Sequence, residues 1–159
     1  MLSKEQLDGV RKHLQDAVVN TLAKQINMPL KTEWTDSAFF KVDCMSIITL
    51  KTAEHVGAIS IGFPEAVLLQ IIENLLGEKF DSLSAENADA SGELMNIIYS
   101  SARVHINALG FKFEPAIPAT VVGKGLALAP AGIDKSYCLI CRTQDQGQFR
   151  IMVSLKQVK

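Results

Sequence analysis

The chain has 159 residues, with 16 Lys+Arg against 17 Asp+Glu, a net charge of −1, 48% hydrophobic residues and 21% charged ones. At about 100–200 residues per domain this is a single domain, residues 1–159, with enough apolar side chains for a sizeable core, which argues against disorder. The balanced charge argues against a nucleic-acid partner, because neutralising phosphates takes an excess of Lys and Arg.

No apolar stretch approaches the roughly 20 residues of a membrane span. The opening MLSKEQLDGVRKHL is polar and amphipathic, unlike a secretory signal. Cys44, Cys138 and Cys141 are an odd set that does not suggest a disulfide framework. These features predict a soluble, cytoplasmic protein.

Lys4 to about Ile26 reads as an amphipathic helix, with Leu7, Val10, Leu14, Ala17, Val18 and Thr21 at three- and four-residue steps. Asn27-Met28-Pro29 ends it, since the residue before proline avoids helical angles. From Lys31 to Phe63 the pattern shortens into strand-like runs, Ala38–Val42, Cys44–Thr52 and Val56–Phe63. The last two are joined by Ala53-Glu54-His55, short enough for an antiparallel hairpin. Pro64-Glu65 opens a second helix, with the proline expected at its first position and Gly77 as its cap. A third helix is predicted from about Ser84 to Leu109, stopping at Gly110. Strands are predicted at about Glu114–Val122, Leu126–Ala129, Ser136–Thr143 and Gln148–Leu155, with Gln144 to Gly147 as a second hairpin turn.

Antiparallel runs of strands with helices outside them predict an α+β fold, an antiparallel sheet flanked by long helices. Both halves pass from a long helix into strands, which suggests an internal pseudo-repeat.

The third helix carries the most chemistry. Its core stripe is predicted as Leu94, Ile97, Ile98, Ser101, His105, Ala108 and Leu109. The opposite face holds Asp89, Glu93, Asn96, Ser100, Arg103 and Asn107. Glu93 and Asn96, three apart, then project side by side: a carboxylate with two acceptor oxygens beside an amide that both donates and accepts. Such a pair can hold a cation and orient a water. On spacing alone it is most simply a solvated helix face, since polar pairs at this interval are common.

Other motifs carry less. Cys138-x-x-Cys141 sits in a predicted strand, where residues three apart face opposite ways and cannot converge on one metal, so both read as buried small hydrophobes. His105, on the core stripe, reads as a core histidine; His13 and His55 have no ligand partner at a recognisable spacing. Gly123-Lys124-Gly125 is too short to cradle a phosphate and reads as a turn. With no nucleophile elbow either, the residues argue against an enzyme with its own nucleophile, metal or cofactor.

The run Asp89-Ala-Ser-Gly-Glu93-Leu-Met-Asn96 resembles the signature of the CheX/CheC family, chemotaxis phosphatases that dephosphorylate the response regulator CheY and are related to flagellar switch proteins. That signature has Asp or Ser, Glu four residues on, Asn three further and a proline a little over twenty residues later. Asp89, Glu93, Asn96 and Pro118 match it, with 21 residues between Asn96 and Pro118, one short of its usual statement. Gly57 to Glu65, Ala108-Leu-Gly110 and Ile117 to Gly123 extend the likeness over most of the chain. CheC-type members resemble a duplication with the Glu/Asn pair in both halves. Here Asn20 has Ala17 three residues before it and the pair occurs once, so the chain looks like the CheX type, for which a homodimer paired through sheet edges is implied.

The resemblance implies a substrate: a phosphorylated CheY-like receiver carrying an aspartyl phosphate and its own Mg²⁺, with no cofactor held by this chain. Phosphoryl transfer to water is catalysed largely by positioning and electrostatics. The third helix would dock across the receiver's site, Asn96 holding the attacking water in line and Glu93 accepting a salt bridge from a receiver lysine. Asp89, Ser100 and Arg103 share that face as partner-contact candidates, and equally as a solvated face. Pro118 is given a supporting conformational part only. The alternative is a non-catalytic, receiver-binding or flagellar-switch-like interaction module.

Overall fold

The computed structural model describes residues 2–36, 40–127 and 136–158. In chain order it holds α1 (Lys4–Ile26), β1 (Lys31–Thr35), β2 (Lys41–Lys51), β3 (His55–Phe63), α2 (Glu65–Leu76), α3 (Asp89–Asn107), β4 (Ala119–Ala127), β5 (Ser136–Arg142) and β6 (Gln148–Gln157). This is the α+β class expected from the sequence.

Ser3 begins α1 with a reciprocal cap: its Oγ accepts from the Gln6 N–H at 3.0 Å, and its own N–H donates to Gln6 Oε1 at 3.1 Å. Asn27, in the left-handed conformation at φ 51°, ends the helix where the sequence predicts. α2 starts one residue later than expected. Pro64 is its N-cap rather than its first helical residue, and the cap bond comes from β2, where Asp43 Oδ2 accepts from the Glu65 N–H at 2.8 Å. Gly77 closes it at φ 71°.

The six strands form one antiparallel sheet in the order β1-β5-β6-β3-β2-β4. Exchanging β1, β2 and β3 for β4, β5 and β6 maps that order onto itself, so the expected pseudo-repeat is a two-fold relation about the β3–β6 pair. Each half lends its first strand to the other half's hairpin. The apolar faces of α1, α2 and α3 join Cys44, Ile48, Ile59, Ile61, Phe63, Leu139, Ile151 and Val153 in one core.

Several strand boundaries differ from expectation. β1 was not among the predicted runs: Lys-Thr-Glu-Trp-Thr has no apolar alternation, and among the described residues it pairs only with distant β5. Of the run Ala38–Val42, residues 38 and 39 lie outside the described residues, and its end is absorbed into β2. Residues 114–118 are not strand, and β4 begins only at Ala119. Gly123-Lys124-Gly125 is not a turn but a bulge within β4: Val122 pairs Cys44 and Leu126 pairs Val42, leaving the three residues opposite Asp43. Gly125 takes φ 64°, and its N–H donates to Asp43 Oδ1 at 3.4 Å. Residues 128 and 129 of the run Leu126–Ala129 lie outside the described residues.

Candidate active site on helix α3

The first turn of α3 is built from small residues, and this brings β4 close. A Cβ placed on Gly92 would sit 3.0 Å from Thr120 Oγ1. Before it, Ser84 and Asn87 bond reciprocally, Ser84 N–H to Asn87 Oδ1 at 2.8 Å and Asn87 N–H to Ser84 Oγ at 3.2 Å. The helix predicted from Ser84 therefore begins at Asp89, with a tight turn ahead of it.

The buried stripe of α3 is Ala90, Ser91, Leu94, Met95, Ile98, Tyr99, Ala102 and Ile106. It is turned relative to the predicted stripe: Ile97, Ser101, His105 and Ala108 are exposed. His105 is thus not a core histidine; its ring stacks on His13 of α1 at 5.2 Å between centroids. The rotation leaves the polar face outward, because Glu93 and Asn96 sit near its middle, and both are exposed. Among the described residues neither has a hydrogen-bond or ion-pair partner.

After α3 the chain doubles back along it. Asn107 grips Phe113 twice, its Nδ2 donating to the carbonyl and its Oδ1 accepting from the N–H, both at 2.9 Å. The Tyr99 hydroxyl donates to the Glu114 carbonyl at 2.8 Å. Burial pushes the Tyr99 phenol up from its ordinary value, the Glu114 carboxylate adding to this and Arg103 opposing it, so the hydroxyl keeps its proton as a donor. These bonds deliver Ala116, Ile117 and Pro118 opposite the outer face of α3. The two walls enclose an open groove of about 310 Å³, lined by Asp89, Gly92, Glu93, Asn96, Ala116, Ile117, Pro118 and Thr120.

All four signature positions, Asp89, Glu93, Asn96 and Pro118, therefore line one groove. Ser100 is exposed further along the same face and is not part of the lining. Arg103 is half-buried and turned to the returning segment, its Nη1 donating to the Phe113 carbonyl at 3.4 Å. The groove's ionisable side chains are thus two carboxylates, suited to a cation from outside. Sequence reasoning gave no role to Ala116, Ile117 or Thr120, although Ile117 is the most exposed large apolar residue described, at 94%. Its signal was its setting, an isolated isoleucine directly before the signature proline, where the backbone is held extended.

At the related place in the first half, Gln15 of α1 takes the space between helix and edge strand, donating from Nε2 to Thr32 Oγ1 at 2.8 Å and accepting from Trp34 Nε1 at 3.1 Å. In the first half a helix side chain thus bonds the edge strand directly. Cys138 and Cys141 are both buried in β5, and burial raises both thiols from their ordinary value. Among the described residues no group of three His, Cys, Asp or Glu could hold a metal ion. No described helix is long and apolar enough to cross a membrane.

Comparison with known proteins assigns this arrangement. The architecture is that of the CheC-like proteins: a CheC-like superfamily protein from Shewanella sp. PV-4 superposes with a TM-score of 0.84 at 25% identity, over 98% of this chain and 99% of that one. A chemotaxis protein CheX from Vibrio vulnificus gives 0.84 at 25% identity, over 92% and 99%. CheX in a CheX–CheY–BeF3–Mg²⁺ complex from Borrelia burgdorferi shares the fold at 0.76 and 17% identity, over 92% and 97%. The model of the family described as chemotaxis phosphatase CheX matches residues 45–142, and the chain belongs to that family. Comparison with curated proteins gives no sequence match.

Proposed function

We propose that this chain hydrolyses the aspartyl phosphate of a CheY-like receiver, with the outer face of α3 laid across the receiver's active site. The observation that carries the reading is the pairing of Glu93 and Asn96, exposed and without partners among the described residues, in a groove that also gathers Asp89 and Pro118. Unpartnered polar groups at a groove are available to a docking protein, whereas structural ones are taken up by neighbours, as Asn107 is here. The Borrelia relative, whose complex contains CheY, BeF3 and Mg²⁺, supports a receiver as the partner.

Asn96 orients the attacking water in line with the phosphorus, and Glu93 accepts the ammonium of a receiver lysine. This chain contributes orientation only, converting a chance approach of water into a held geometry. Mg²⁺ belongs to the receiver's own site, and this chain holds no cofactor. The partner-contact face extends to Asp89 and Ser100; Arg103 serves it indirectly, through the returning segment.

A homodimer joined through a sheet edge completes the proposal. The outer strands are β1 and β4, and β4 exposes Val121 and Val122. Sedimentation of the wild type against Val121→Lys tests it; a monomeric wild type refutes it.

The test of activity is the decay of a phosphorylated receiver with the protein at substoichiometric amounts. Accelerated decay supports turnover. Unchanged or slowed decay refutes it and identifies a receiver-binding module instead.

A further inference from the structure

Behind the groove lies a chain of hydroxyls that the proposed chemistry does not use. Thr120 Oγ1 is 2.8 Å from Ser46 Oγ, and Ser46 Oγ is 2.7 Å from Ser91 Oγ. Three elements meet there: β2 through Ser46, the first turn of α3 through Ser91, and β4 through Thr120. Ser46 and Ser91 are fully buried, so neither can touch a docked protein.

A hydroxyl has one hydrogen to donate and lone pairs to accept with. Ser46, in the middle, can donate to one neighbour and accept from the other, joining them through a single atom. The neighbours belong to opposite walls of the groove. Ser91 precedes Gly92 and Glu93 on the helix wall; Thr120 follows Pro118 on the strand wall and itself lines the groove. Tyr99 ties the same two walls about two turns further along, through the Glu114 carbonyl.

We propose that Ser46 is a positioning residue for the phosphatase reaction. Through Ser91 it fixes how deeply the start of α3 seats on the sheet, and through Thr120 it fixes the strand wall. Asn96 and the Ile117-Pro118 segment thereby keep one separation when the receiver docks. This rests on the reading that Asn96 orients the attacking water. Its consequence is large for a small movement, because a misplacement of about 1 Å costs about 10²-fold in rate.

The test is steady-state hydrolysis of a phosphorylated receiver by the wild type, Ser46→Ala, Asn96→Ala and the double variant. Ser46→Ala is expected to lower kcat about tenfold, part of what a full misplacement costs, with KM within about twofold of wild type. In the Asn96→Ala background it is expected to add nothing, because its effect passes through that amide. Ser91→Ala cuts the same chain on the helix side while improving helix propensity. It should reproduce the kcat loss and carries the test if Ser46→Ala does not fold. A wild-type rate in both single variants, or an equal further loss on the Asn96→Ala background, overturns the positioning role alone. A wild type without turnover overturns the reading of the groove and this role with it.

Discussion

The Tyr99 hydroxyl donates to the Glu114 carbonyl at 2.8 Å, one helical turn beyond Asn96 and four residues before Pro118. That bond pins the returning segment against the helix that carries the candidate site. Tyr99→Phe keeps the buried ring and removes only the donor. The expected loss is about 1 kcal/mol in unfolding free energy, the net worth of a typical intramolecular hydrogen bond. Urea unfolding checks it: an unchanged midpoint would mean that water replaces the phenol at Glu114 without cost.

Glu93 and Asn96 should separate kinetically. If the amide holds water and the carboxylate holds the partner, Asn96→Ala lowers kcat by about 10²–10³, the effect of removing one preorganised transition-state group, with receiver affinity nearly intact. Glu93→Ala weakens affinity and turnover together, because the receiver's lysine loses its partner. Titration of the receiver against each variant, beside single-turnover hydrolysis, reads the two effects apart. Full turnover in Asn96→Ala ends the assignment.

The sequence exposed one level of this organisation and concealed another. α1 was legible because its polar ends and apolar stripe agree, and both hairpins were legible from their short polar turns. The facing of α3 was not. Ile97 and Ile98 are adjacent, and either can begin a stripe; the true stripe includes Ser91, whose hydroxyl counts as polar in any pattern yet is buried against Ser46. Glu93 and Asn96 remain outward under either facing because the polar arc is wide. The groove's second wall was legible only as a signature proline. What places Ile117 there is a set of backbone bonds to Tyr99 and Asn107, and no local pattern encodes bonds to a carbonyl fifteen positions away. β1 fails for a related reason, being an edge strand specified by its distant partner rather than by its own alternation.

Ile117 is 94% exposed beside the two polar groups, and a docked partner would cover it. Fully burying an isoleucine side chain is worth about 1.5–3 kcal/mol, so Ile117→Ser should raise KM for the phosphorylated receiver about tenfold or more. kcat should be unchanged, since the side chain offers nothing to the reacting atoms. A KM equal to that of wild type would place the isoleucine outside the interface.

Burial raises the Cys44, Cys138 and Cys141 thiols and the Tyr99 phenol. In each the folded state holds its proton to a higher pH than the unfolded state does. Their contribution to stability is complete below the ordinary thiol value of 9.0 and is lost as pH climbs through that value and the ordinary phenol value of 10.0 toward the raised ones. Unfolding free energy should therefore fall with rising pH across that window. Thiolate absorbance should appear in urea well before it appears in the native protein. Native thiolate signal from all three cysteines at the ordinary value would contradict the burial argument.

Gly92 sets two effects against each other. Alanine in place of glycine within a helix gains up to about 1 kcal/mol from propensity. The added methyl, however, lies 3.0 Å from Thr120 Oγ1, tight enough that something must yield by a few tenths of an ångström. Thr120 cannot turn aside freely, because Ser46 holds its hydroxyl at 2.8 Å. The strain and the propensity gain oppose each other, so the stability of Gly92→Ala should stay within about 1 kcal/mol of wild type. Turnover has no such compensation, since the displaced wall moves Pro118 relative to Asn96. Gly92→Ala is expected to fold normally and to lose about tenfold or more in kcat, a consequence of misplacement rather than of unfolding. Thermal unfolding beside receiver dephosphorylation separates the two outcomes, and a variant with both wild-type stability and wild-type turnover would show that the groove tolerates a wider gap than its geometry implies.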